Sequence, residues 1–163
     1  MHRYLVVANQ TLGGPHLARV VRDRLEDGPC SFHIVVPATP PKGQWTYTEN
    51  EARKLARARL DAAIARFIEL GADVDGEIGD ARPLDAIADA LRDGVFDGII
   101  VSTLPPGRSR WLKMDHIGRV TAEFGLKVHH VVWAPELTPR APDISPQVLR
   151  DPSTATLGAA MTE

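Results

Sequence analysis

Residues 96–103 read Phe96-Asp97-Gly98-Ile99-Ile100-Val101-Ser102-Thr103. The stretch Gly98 to Ser102 is apolar without alternation, which is the pattern of a strand whose two faces are both covered. Upstream, Leu84, Ile87, Ala88 and Leu91 recur at i, i+3, i+4 and i+7, and Gly94 ends that helix. Downstream, Thr103 to Met114 reads as a polar, basic loop containing proline and glycine. A helix from Asp115 or His116 to Phe124 follows, ended by Gly125, and Lys127 to Trp133 forms a last strand. A buried strand flanked by helices and followed by another strand calls for parallel pairing through right-handed crossovers.

The same alternation extends to the start of the chain. Arg3 to Ala8 is a short apolar strand, and Thr11 to Pro15 a turn with Pro15 suited to a helix first turn. Leu17, Val20, Val21 and Leu25 keep helical spacing until Gly28-Pro29. Ser31 to Val36 is a second strand, and Pro37 to Gln44, with three prolines, a loop. Thr48-Glu49-Asn50-Glu51 is a capping box opening a long helix. Its apolar face carries Ala52, Leu55, Ala56, Leu60, Ala63, Ile64 and Phe67, and Gly71 stops it. Val74 to Gly79 is a third strand. Five strands alternating with four helices make a doubly wound α/β sandwich with a parallel sheet. One domain is expected over 1–133. Residues 134–163 carry five prolines and no sustained period, and are expected to be a tail.

Composition narrows the function classes. The chain has 163 residues, 44% hydrophobic and 25% charged, which suits one soluble globular domain. Nineteen basic against 21 acidic residues give a net charge of −2, against a dedicated nucleic-acid binder. The single cysteine, Cys30, excludes an internal disulfide and reads as a small buried apolar group. No apolar run approaches a membrane span, and Leu5 to Ala8 is too short for a signal-peptide core. The expectation is a cytoplasmic protein with no membrane or nucleic-acid partner.

In an open parallel sheet, ligands lie beyond the carboxyl ends of the strands where strand order reverses. The loops after the first and fourth strands therefore matter most. The second holds Ser102, Thr103, Gly107, Arg108, Ser109 and Arg110, with Lys113 against the lone acid Asp115. Hydroxyls, guanidinium groups and a glycine before a helix N-terminus favour an anion, where a solvated basic loop with arginine stems on Trp111 is the plainer alternative. Known phosphate motifs are missing. No G-x-x-x-x-G-K-[ST], G-x-G-x-x-G or G-x-S-x-G occurs. His116-Ile117-Gly118-Arg119 is similar to a nucleotidyltransferase tetrapeptide, but follows the wrong strand and ends in arginine. A phospho-receiver would need acids where Asn9-Gln10 stand. Alternation sends His129 and His130 to opposite faces, so they are not one metal's ligands.

The order of elements, together with Gly79-Asp80 before Pro83, Phe96 to Ser102, Gly118 to Glu123 and Lys127 to Val132, resembles the universal stress protein family across residues 2–133. That resemblance implies a Rossmann-like sheet of adenine-nucleotide alpha hydrolase type, in order 3-2-1-4-5, usually a homodimer through strand five. Some members bind ATP through G-x2-G-x9-G-[ST] and an Asp ending strand one. Here Ser102 stands at the first glycine, Gly107 at the second, Gly118 at the third, Arg119 at the Ser/Thr and Asn9 at the Asp, with altered spacing. With the loop residues read above, the candidate nucleotide- or phosphate-binding residues are Asn9, Thr11, Ser102, Thr103, Gly107, Arg108, Ser109, Arg110, Gly118 and Arg119; the altered motif leaves the ligand unassigned, with ATP or AMP as candidates.

The expected function is a non-enzymatic domain that senses or carries a nucleotide or other phosphate ligand. One alternative is a ligand-free dimeric interaction module. Another is a small phosphohydrolase or nucleotidyltransferase of the same superfold, which the scarcity of a general base disfavours. No catalytic or metal-ligating residue is assigned.

Overall fold

The computed structural model describes residues 1–40, 48–105 and 114–134, the last stretch by backbone alone as far as residue 117. The elements are β1 (His2–Val7), α1 (Pro15–Asp27), β2 (Cys30–Pro37), α2 (Glu49–Glu69), β3 (Asp73–Gly79), α3 (Pro83–Asp93), β4 (Gly98–Thr103), α4 (Met114–Phe124) and β5 (Lys127–Val132). All five strands pair in parallel, in the order β3-β2-β1-β4-β5. The Rossmann-like α/β fold is as expected. Boundaries differ by a residue or two: Thr103 belongs to β4, Met114 to α4, Ala8 lies beyond β1, and Trp133 has left β5. Beyond Ala134, the expected tail lies outside the described residues.

Each strand side chain faces the layer that its parity selects. Val6, Phe32, Ile34, Ile100 and Val131 meet Leu17 and Val21 of α1 and Leu60 and Phe67 of α2. Leu5, Val7, Val35, Ile99 and Val101 meet Ile87 of α3 and Val120 of α4. All six residues of β4 are buried, matching a strand with no solvent face. The stripe on α2 is narrower than its spacing suggests: Ala52, Ala56, Leu60, Ala63 and Phe67 are buried, while Leu55 and Ile64 lie at its margins.

Both ends of α2 follow from local chemistry. Glu51 N donates to Thr48 Oγ1 at 3.3 Å, and Thr48 N donates back to Glu51 Oε2 at 2.8 Å. The Thr48 backbone N–H, then its hydroxyl, hold the Glu51 carboxyl below the ordinary carboxylate range. At the other end Gly71 takes φ 86°, which a Cβ would strain. That turn lets Ala72 N reach Phe67 O at 3.0 Å and Gly71 N reach Ile68 O at 2.9 Å, a Schellman closure that aims the chain into β3.

Strand order reverses at β1, which has β2 on one side and β4 on the other. The chain leaves the carboxyl ends of β1 and β4 toward different layers, opening the crevice in which a doubly wound fold takes ligands.

Candidate functional site at the carboxyl ends of β1 and β4

Four buried polar residues stand at this crevice: Asn9, Thr11, Ser102 and Thr103. The sheet brings them there, because β1 and β4 are paired neighbours and both end at this level. Thr11 Oγ1 donates to Ser102 O at 2.9 Å, clasping the loop after β1 to the end of β4. Asn9 Nδ2 donates to Pro37 O at 2.9 Å, tying the same loop to the end of β2. Thr103 Oγ1 lies 2.7 Å from His130 Nε2 on the α4 side. Ser102 differs: its side chain is fully buried, and Oγ has no hydrogen-bond partner among the described residues. Trp133 Nε1 is likewise buried without a partner.

Two arginines complete the arrangement from α2. Arg59 Nη1 donates to Asn9 Oδ1, and Arg66 Nη1 donates to the Gly13 carbonyl. With Gln10 and Leu12 they border a cavity of about 280 Å³. Their guanidinium groups make this end of the crevice cationic. The sequence analysis assigns neither, because the strand-order rule points to the loops after β1 and β4 and both arginines lie on a helix. The available signal was spacing: seven residues apart on one helix, Arg59 and Arg66 share a face two turns apart.

The structure therefore gathers Asn9, Thr11, Ser102 and Thr103. Gly118 and Arg119 are exposed on α4. Gly107, Arg108, Ser109 and Arg110 lie outside the described residues. His129 and His130 do face opposite layers: His129 Nδ1 meets Arg24 of α1 at 3.2 Å, while His130 meets Thr103. Burial holds both imidazoles below their ordinary pKa, with Arg24 adding to the effect at His129 and His129 at His130. Cys30 is buried, and burial raises its thiol pKa, which makes it a core group. Among the described residues, no group of three or more His, Cys, Asp or Glu side chains could hold a metal ion.

No family model matches the chain, and no curated protein matches its sequence. Solved structures do match. A universal stress protein from Archaeoglobus fulgidus superposes with a TM-score of 0.54 over 80% of this chain and 93% of its own, at 17% identity. A universal stress protein family protein from Arabidopsis thaliana, with AMP bound, gives 0.53 over 85% and 96%, at 13% identity. The chain has the universal stress protein fold. Within this universal stress protein fold, the chain puts a buried serine at the end of β4 and an asparagine, already hydrogen-bonded twice, at the end of β1. Among the described residues, Asn9 keeps one N–H and one carbonyl lone pair for a further partner. No helix among the described residues is long and apolar enough to cross a membrane.

Proposed function

We propose that this chain binds an adenine nucleotide or a related small phosphate ligand at the carboxyl ends of β1 and β4, and acts by binding without catalysis. The observation that carries the reading is the buried Ser102 Oγ, without a partner among the described residues, at the strand-order reversal beside Thr11 and Asn9. A buried hydroxyl with no partner costs stability unless another group supplies the hydrogen bond. Arg59 and Arg66 add positive charge on one side of the crevice. In sequence, the stretch after β4 carries Gly107, Arg108, Ser109 and Arg110. AMP in the Arabidopsis neighbour is compatible with this ligand class. Calorimetric titration with ATP, AMP and a cyclic nucleotide tests the proposal. Saturable heat with one of them is expected, without turnover, and no heat with any would overturn it.

A second reading is a homodimer through β5. Among the described residues that strand is hydrogen-bonded on one side only, and Val132 is 40% exposed on it. An open edge of this kind invites pairing with another strand. The dimer is compatible with ligand binding, and would by itself be the function if no nucleotide binds.

A further inference from the structure

A second cavity, of about 670 Å³, lies at the opposite end of the sheet from the crevice. It is bordered by the first halves of three strands, with Tyr4 of β1, Gly98 of β4 and Lys127 and His129 of β5, and by Arg24 from the last turn of α1. Its volume falls in the range of small-molecule sites.

The polar groups there are arranged around Arg24. Its guanidinium carbon sits 5.3 Å from the centre of the Tyr4 ring. Nη2 is 3.2 Å from His129 Nδ1, Nη1 is 3.5 Å from the exposed Asp27 carboxylate, and Nε is buried with no partner among the described residues. Arginine only donates, so His129 Nδ1 accepts, and the imidazole proton resides on Nε2 as a second donor. Lys127 is exposed beside them. The cavity's one carboxylate, Asp97, already accepts from Arg3 N at 2.8 Å and stands 3.7 Å from His2 Nδ1. Donors thus outnumber acceptors, and the partly buried Tyr4 ring supplies an apolar wall.

We propose that this cavity binds a small organic oxyanion, a carboxylate or phosphate headgroup on an apolar body. The headgroup is held by Arg24, His129 Nε2 and Lys127, and the body rests on the Tyr4 ring. The site is independent of the nucleotide crevice, which lies beyond the other ends of the same strands.

Amide chemical shifts of the full chain, titrated with benzoate, phenyl phosphate and inorganic phosphate, test it. Saturable shifts at Gly98, Lys127 and His129 are expected with benzoate or phenyl phosphate, and which of the two binds tighter identifies the headgroup. Arg24→Gln should weaken binding by about tenfold or more, in keeping with loss of charge-assisted bonds. Lys127→Gln, at an exposed position, should weaken it a few-fold with the melting temperature unchanged. Shifts produced by AMP at Asn9 and Thr11 should be the same in both variants, which separates this site from the crevice. No shift with either organic anion, or affinity unaltered by both substitutions, would overturn the proposal. Inorganic phosphate binding as tightly as phenyl phosphate would overturn the role of the apolar wall.

Discussion

Trp133 lies directly on Gly14. A Cβ placed on Gly14 would stand 2.8 Å from Trp133 Cδ2, closer than carbon atoms tolerate. The contact joins the start of α1 to the residue that follows β5, and Trp133 N donates to Thr103 O at 2.9 Å to hold it there. Gly14 also begins α1, with Pro15 immediately after it. Its missing side chain is what lets the indole cover the helix start.

Gly14→Ala should therefore destabilise the protein by about 1–3 kcal/mol, the usual cost of overpacking. Chemical denaturation followed by tryptophan fluorescence checks this. A stability equal to that of the original chain would mean that the indole moves aside freely.

Thr11→Val removes the hydroxyl that donates to Ser102 O while keeping the shape of the side chain. A loss of about 1 kcal/mol is expected for such a hydrogen bond, rising if the buried carbonyl finds no other donor. Because the bond closes the crevice, nucleotide affinity should fall as well. Denaturation and calorimetry on one sample distinguish the two effects.

Arg108 and Arg110 are the two arginines that the sequence places between β4 and α4. Each guanidinium–phosphate bond contributes about 1.5–3 kcal/mol. Replacing both with alanine should weaken nucleotide binding by at least about a hundredfold at unchanged melting temperature. Binding that survives would assign the anion to Arg59 and Arg66.

Stability should fall in mild acid. Burial holds His129 and His130 below their ordinary value of 6.5. As pH drops past that value, the unfolded chain takes up protons that the folded chain refuses, so stability is complete above it and is lost as pH falls through the folded values. Urea unfolding at about pH 7.5 and about pH 5.5 should show the difference. His129→Gln should make the dependence shallower.

Val132→Lys puts a charge on the open edge of β5. Sedimentation should show a monomer for this variant and a dimer for the original chain. A monomer in both would remove the proposed β5 interface.

Local pattern carried most of the architecture. The apolar run of β4, the capping box at Thr48 and the glycine after α2 are consequences of adjacent residues, so they were legible in the sequence. The parallel pairing followed from the alternation of strands and helices, because a helix between two strands returns the chain to the same end of the sheet. Strand order came from resemblance, since several orders satisfy the same alternation. The polar groups at the ends of β1 and β4 were also legible, because the topology rule points to those loops whatever their composition. Partners were not. Thr11 meets the carbonyl of a residue 91 positions away, and Asn9 meets Arg59 across 50. Only the packing of α2 against β2 and β3 brings that arginine to the loop, and no spacing within one segment encodes such a distance. The buried state of Ser102 Oγ and the cavity beside Arg24 have the same origin. Both arise where distant strands and helices converge, and the sequence by itself determines the elements that meet there but not what each side chain finds when they do.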